Sequence, residues 1–284
     1  MSILRARLAL PYLAGLSVLV AIPAAAGLGL AFTEFSGIER PSWVGLDNFE
    51  RMLSDDLFWT ALGNSAIYVA LAVPLRIVAA LGFALLLHRR SRGTGAARAV
   101  AYLPSVVPDA AYALLWLWIL NPLYGPLTAA IETTGLVSPD WLTDEWAARI
   151  GIALMGAFQI GEAFIVALAA RSAIPSRLYE AAWVDGARPW FVLTRLTLPL
   201  MAPILALLAL RDIVFGFQAN FVPALLVTEG GPRYATTFLP LYVYQQGFGY
   251  FRLGYAAALS VTMFVITAAI VFIQYRLARR YRLL

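Results

Sequence analysis

Six long apolar runs separated by polar segments organise this chain. They cover residues 8–32, 59–87, 99–120, 148–170, 200–227 and 255–275, and each exceeds the roughly 20 residues an α-helix needs to cross hydrocarbon. The pattern predicts an all-α membrane protein of six transmembrane helices, one domain over residues 1–284, with no soluble domain, linker or internal repeat. The first run contains Ala24-Ala25-Ala26, which offers a small-residue cleavage site. A retained span is expected there nonetheless, because the run is longer than a signal-peptide core and five more follow.

The polar segments differ in character. Residues 33–58, with Trp43, Gly45 and Asn48-Phe49, are acidic; 121–147 carry Glu132, Asp140, Asp144 and Glu145; Glu229-Gly230-Gly231-Pro232 opens a third acidic-side loop. The short turn 88–98, the loop 171–199 and the tail from Arg276 are basic.

Composition agrees with a bilayer as solvent: of 284 residues 61% are hydrophobic, and mean hydropathy is +0.76. The net charge of +5 does not imply a nucleic-acid partner, because the cations lie between apolar runs rather than along one soluble face. Their distribution is topological. Fourteen arginines (Arg5, Arg7, Arg89, Arg90, Arg92, Arg98, Arg171, Arg177, Arg188, Arg195, Arg276, Arg279, Arg280, Arg282) fall on one side and five (Arg40, Arg51, Arg149, Arg233, Arg252) on the other. Both termini and the loop 171–199 are therefore expected in the cytoplasm. With no cysteine and only one histidine, His88, the chain has neither a disulfide framework nor a paired-histidine metal site. It lacks a phosphate-cradling loop with its lysine and a Gly-x-Ser-x-Gly elbow, so no enzyme is expected.

The loop 171–199 reads as helix-turn-helix: Pro175 opens a short helix, Gly186 closes it, and Pro189 opens another that ends before Pro199. Ala182 and Gly186, one turn apart, would leave a face on which another backbone can approach, and Glu180 and Asp185 can meet cations there. The order Glu180-Ala181-Ala182, Gly186, Leu196, Leu198-Pro199 is similar to the cytoplasmic signature of ABC importer permeases. The fuller Tyr179-Glu180-Ala181-Ala182-x-x-Asp185-Gly186-Ala187, with Pro203 downstream, resembles the carbohydrate-uptake branch typified by maltose and glycerol-phosphate permeases. Leu196 stands where that family more often has isoleucine.

Within the runs, Arg76, Asp109, Glu162, Arg211 and Asp212 are ionisable and costly in hydrocarbon unless paired or wetted. Arg211 and Asp212 point about 100° apart and need not pair; Arg211, about two turns from Pro203, is placed to snorkel to the cytoplasmic edge. Gln159, Glu162, Gln218 and Asn220 can hydrogen-bond hydroxyls, and Trp116, Trp118 or Phe221 can supply an apolar wall. The competing reading makes the amides helix glue and the tryptophans part of the interfacial belt.

Three further stretches carry the resemblance: Pro104-Ser105-x-x-Pro108 with Trp116-x-Trp118-x-x-Asn121-Pro122; Asn220-Phe221 with Thr228-Glu229-Gly230-Gly231-Pro232 and Thr236-Thr237; and Gly254-Tyr255-Ala256-Ala257-Ala258-x-Ser260. The resemblance implies an importer permease whose loop with Glu180, Ala181, Ala182, Asp185, Gly186 and Ala187 docks in a cleft of an ATPase subunit. It also implies a second permease subunit, an ATPase pair that binds the ATP and magnesium, an extracytoplasmic solute-binding protein, and no cofactor on this chain. In the family the fifth-span region contributes to the sugar site, which raises Asn220 above the other amides, with Gln218, Phe221, Gln159, Glu162 and Trp116 as further pathway candidates. Glycerol phosphate as solute, or a self-sufficient carrier or channel, are the alternatives.

Overall fold

The computed structural model describes residues 10–89, 91–218 and 220–280, the side chains of Ala278 and Arg280 excepted. The expectations placed on Arg5, Arg7, Arg90, Arg282 and the side chain of Arg280 lie outside the described residues. The elements run α1 (Leu10–Leu30), β1 (Thr33–Glu34), β2 (Ser42–Trp43), α2 (Asp47–Leu53), α3 (Asp56–Leu87), α4 (Thr94–Tyr102) and α5 (Asp109–Ile119). There follow α6 (Pro126–Glu132), α7 (Glu145–Phe158), α8 (Gly161–Ala173), α9 (Ser176–Val184), α10 (Pro189–Gly216), α11 (Phe221–Pro223), α12 (Leu239–Tyr244) and α13 (Leu253–Arg280). Among the described residues four helices are long and apolar enough to cross a membrane, or up to six if each of two bent pairs is one span.

Three of the six runs are not the plain helices the hydropathy predicts. The run 99–120 is divided between α4, extended by a 3₁₀ turn at Leu103–Ser105, and α5, which meet at 98°. Pro104 and Pro108 are the cause, since proline lacks an amide donor and bars its predecessor from helical geometry. The run 148–170 is divided at Gln159-Ile160 into α7 and α8, bent by 48°. The run 200–227 starts earlier and stops earlier: α10 passes through Pro199 and ends at Gly216, and α11 follows after Phe217–Asn220. The helix crosses Pro199 because a π-turn at Leu193–Thr197, closed by the Leu198 amide on the Leu193 carbonyl, re-phases the ladder ahead of the missing donor.

The chain resolves into two compact units. The first comprises residues up to Trp59 and Leu239–Ile266. Asn48 is its internal brace, with Nδ2 donating to the Ala31 carbonyl at 3.0 Å and the Thr33 carbonyl at 2.9 Å. Phe32 stacks on Trp43 with centroids 5.7 Å apart and tilts against Phe49 at 5.3 Å. Gly254 is obligatory, since a Cβ there would overlap the Thr33 carbonyl. Asp55 caps α3 by accepting from the Leu57 amide at 3.0 Å, and its other oxygen receives the Tyr255 hydroxyl at 2.7 Å and the Tyr242 hydroxyl.

The second unit comprises Thr60–Phe238 with residues from Thr267 onward. Small residues bring its helices together: Ala80 and Ala84 of α3, Ala101 of α4, and Ala163 and Ala167 of α8 are buried with Phe164, Met201 and Leu208. Close approach is how helices gain van der Waals contact where lipid offers no hydrophobic driving force. Its loop 229–238 is tied down by Asn64, whose Nδ2 donates to the Tyr234 and Thr237 carbonyls at 2.7 and 3.2 Å, and by Arg149, whose Nε donates to Ala235 at 3.2 Å.

Burial opposes ionisation of Asp55, but the hydrogen bonds from Tyr242, Tyr255 and the Leu57 and Phe58 amides together outweigh it and hold the carboxyl below its ordinary 3.8. Burial, then the hydrogen bond to that carboxylate, pushes the Tyr242 phenol up to about 12, so it remains a donor at neutral pH. A depressed carboxyl stabilises fully above its unfolded pKa and loses that contribution as pH falls through the folded value. Asp55→Asn should therefore lower the melting temperature in detergent at neutral pH and shrink the drop that wild type shows between about pH 5 and about pH 3. An unchanged drop would contradict the role given to Asp55.

Candidate functional site

The break between α7 and α8 frees backbone groups at the depth of an apolar run, where protein must take them up. Three side chains from other elements do so. The Tyr112 hydroxyl donates to the Met155 carbonyl at 2.9 Å, Arg76 donates to the Gly156 carbonyl through Nε at 2.9 Å and Nη2 at 2.6 Å, and Ser105 Oγ accepts the Gly161 amide at 2.9 Å. Gly156 and Gly161 are required where they stand: a Cβ on the first would overlap the Tyr68 phenol and on the second the Ser105 side chain.

A cavity of about 290 Å³ opens beside this break, lined among others by Tyr68, Arg76, Asp109, Gln159, Glu162, Arg211, Asp212, Phe215 and Pro223. Both of its arginines are paired. Arg76 Nη1 lies 3.6 Å from Asp212, Arg211 Nη1 lies 3.5 Å from Asp212, and Arg211 Nη2 bonds Glu162. Arg211 also lies over the Phe215 ring, 4.7 Å from its centroid. Two arginines thus face three carboxylates, counting Asp109. Arg211 does not reach away to the helix end as its distance from Pro203 suggested; Glu162 and Asp212 hold it, and it does pair with its sequence neighbour.

The loop after α8 has a separate geometry. Pro175 is the N-cap of α9, with ψ of 135°, rather than its first residue. At the other end Ala187 donates to the Ala182 carbonyl at 2.9 Å and Gly186 to the Trp183 carbonyl at 3.0 Å, the paired bonds of a Schellman cap. Gly186 therefore lies one residue beyond the cap, at φ +71°, and not on the helix face with Ala182. That left-handed conformation is why glycine closes the helix. Pro189 starts α10 as expected. Val184 and Trp190 are largely exposed, at 87% and 73%, and Glu180 and Asp185 make no ion pair among the described residues. Tyr179 fixes α9 to its neighbours: Arg171 of α8 lies over its ring at 4.2 Å, and its hydroxyl shares a hydrogen bond with Thr197 Oγ1 of α10 at 3.1 Å.

Residues 72–283 match the family described as binding-protein-dependent transport system inner membrane component. The chain belongs to that family. It is a multi-pass inner-membrane permease component of an ABC importer. It is 33% identical over 94% of its length to the probable ABC transporter permease protein YesP of Bacillus subtilis, covering 87% of that relative. It is also 33% identical over 84% of its length to the sn-glycerol-3-phosphate transport system permease protein UgpA of Agrobacterium fabrum, 82% of which is covered. Among solved structures it resembles a chain of a bacterial alginate ABC transporter in complex with alginate pentasaccharide-bound periplasmic protein. The TM-score is 0.82 at 26% identity, over 98% of this chain and 94% of that one.

In this permease the candidate pathway residues do not all converge. Gln159 and Glu162 line the cavity; Asn220, Gln218, Phe221 and Trp116 lie outside its lining. Asn220 is fully buried, with neither side-chain polar atom hydrogen-bonded among the described residues, and Gln218 is exposed. Trp116 belongs neither to an interfacial belt nor to the cavity: it is buried, edge-on to Tyr112 and Phe158 at 6.2 and 5.5 Å, while Trp118 is 52% exposed. The aromatic faces at the cavity are Tyr68 and Phe215, neither singled out in the sequence. Phe215 was detectable as the residue one turn beyond Arg211; Tyr68 had no comparable signal in a strongly apolar run.

Removing one partner of a buried pair leaves an uncompensated charge, whereas removing both is far milder. Arg76→Met should lower unfolding free energy in mixed micelles by about 3 kcal/mol, and adding Asp212→Leu should recover most of it. A double variant no better than Arg76→Met would show that the Gly156 contact, not the pair, carries the stability.

Proposed function

We propose that this permease component is one of two transmembrane subunits that together pass a sugar, oligosaccharide or polyol derivative across the membrane by alternating access. Chain 1–284 acts as one permease domain of six spans, with the bent pairs α4–α5 and α7–α8 each counted as one span and the termini and the α9 loop in the cytoplasm, where the arginine excess belongs. The observation that carries the solute class is the cavity at the α7–α8 break. Its polar groups include two paired arginines, the Asp109 carboxyl and the Gln159 amide beside two aromatic faces, a lining suited to hydroxyls. Because both arginines are already neutralised by carboxylates, it favours a neutral polyhydroxylated solute over a phosphoester. The names of similar proteins, which include a glycerol-phosphate permease and an alginate transporter, support a carbohydrate-type importer.

Gln159 and Glu162 contact solute in this reading. Asn220, Gln218, Phe221 and Trp116 join them in the other conformational state, in which the Asn220 amide, without a hydrogen-bond partner among the described residues, meets solute or water. This chain binds no ATP, metal or cofactor and catalyses no reaction. A pair of ATPase subunits binds ATP and magnesium, a second permease subunit completes the pathway, and a solute-binding protein delivers from outside. The ATPases bind the two states differently, which is what shifts the equilibrium. Glu180, Ala181, Ala182, Asp185, Gly186 and Ala187 form the docking element, and Arg171, Tyr179 and Thr197 transmit its displacement to α8 and α10.

Glu180→Arg, or Gly186→Trp at its positive φ, should raise the ATP hydrolysed per solute imported by about tenfold in reconstituted vesicles, with the spans still folded in both and the melting temperature of Glu180→Arg little changed. Unaltered stoichiometry in both would remove the docking role.

A further inference from the structure

A second and larger cavity, of about 860 Å³, lies between the ends of α3, α4 and α8 and the helix α9. Its charged lining is Arg89, Arg98, Arg171 and Glu180, with His88 beside them, so three cations face one carboxylate. Among the described residues no carboxylate lies within ion-pair distance of any of the three arginines. Arg98 spends its Nε and Nη2 on the Leu87 carbonyl, at 3.0 and 2.6 Å, which caps α3 but brings no counter-ion.

Arg171 is the most telling. Among the described residues its Nε is buried without a hydrogen-bond partner, and its Nη2 reaches His88 Nε2 at 3.4 Å. His88 Nδ1 faces the Leu85 carbonyl at 2.7 Å, so Nδ1 carries the proton and Nε2 accepts from the guanidinium. Histidine here supplies no negative charge. Leaving the half-buried guanidinium groups of Arg98 and Arg171 without a counter-ion is unfavourable, while Arg89 adds an exposed cation at the rim, and a phosphate oxygen pair matches their fork.

The rest of the lining selects among anions. Leu85, Ile165, Leu168 and Leu193 form an apolar flank that a free phosphate would leave uncovered and that the glycerol and acyl portion of a lipid would fill. Basic pockets between spans on the cytoplasmic side are where anionic headgroups collect.

We infer that this cavity holds the phosphate headgroup of an anionic phospholipid of the inner leaflet, between three arginines and the docking helix α9. The assignment rests on the cytoplasmic placement of that helix proposed above. Headgroup occupancy would neutralise Arg171 while it stacks on Tyr179, and so fix the helix that the ATPase contacts.

The test uses the whole transporter, purified with its partner subunits, delipidated and returned to nanodiscs of phosphatidylcholine with or without phosphatidylglycerol, and separately to phosphatidylcholine with millimolar inorganic phosphate. Retained lipid is counted by native mass spectrometry. Phosphatidylglycerol should be retained over phosphatidylcholine, and inorganic phosphate should not displace it. Arg89→Gln and Arg171→Gln should each weaken retention about fivefold, while Arg171→Lys, which keeps the charge, should weaken it less. Equal retention of the two lipids, displacement by inorganic phosphate, or retention in the variants equal to wild type would each overturn the inference. So would cross-linking of Arg171→Cys to an acidic segment of the ATPase with phosphatidylglycerol present. The permease reading fails separately, by absence of an ATPase from the purified complex.

Discussion

Everything near the centre of this permease depends on one constraint: backbone amides and carbonyls released at membrane depth must be met by protein. The break between α7 and α8 satisfies it with Tyr112, Arg76 and Ser105, drawn from α5, α3 and the 3₁₀ turn after α4. Three elements are thereby fixed around one irregular point. Arg76 then needs a counter-ion, Asp212 provides it from α10, and Arg211 and Glu162 complete the charge balance. A polar cavity follows from these requirements, because irregular backbone in a bilayer is tolerated where it is buried in protein or lines a cavity.

Helix α9, the proposed docking element, obeys a parallel logic at the surface. Its C-terminus is finished by its own chain through the Schellman bonds of Gly186 and Ala187, so the helix needs no partner to hold its shape. What remains outward is the Asp185 carboxylate, without an ion pair among the described residues, and the apolar surface of Val184 and Trp190, with Glu180 at the rim of the arginine-lined cavity. What remains inward is a linkage of Tyr179 to Arg171 and Thr197. A rigid helix joined to two spans is able to transmit a push, which a flexible loop of the same composition could not do.

Much of this was legible in the sequence, and the rest was not for identifiable reasons. Hydropathy located the six apolar runs because burial in lipid sets their length, and glycine and proline positions marked both ends of α9. Arg76, Asp212, Gln159 and Glu162 stood out as polar residues in apolar surroundings, and the structure brings them together. The break at Gln159 was missed because no proline marks it; its signs were Gly156 and Gly161, spaced to admit Tyr68 and Ser105, side chains distant in sequence. The same distance explains Arg211. Its reach to Glu162 depends on the packing of α10 against α8, which periodicity along one helix does not encode. Asn220 stands out by its chemistry as an amide in an apolar run, yet it is buried and lies outside the cavity lining, which depends on packing that its own run does not encode.

The chain contains no cysteine, so Val184→Cys introduces a unique thiol beside the docking residues. Treating native membranes with a short bifunctional maleimide reagent, after a second cysteine is placed in the cleft of the co-purifying ATPase, tests the coupling claim directly. A cross-link between the two subunits whose yield changes with ATP, and a thiol protected from impermeant reagents in intact cells, is the predicted result. Labelling of Val184→Cys from the outer face, or the absence of any cross-link in a complex that still hydrolyses ATP to drive uptake, would contradict the account.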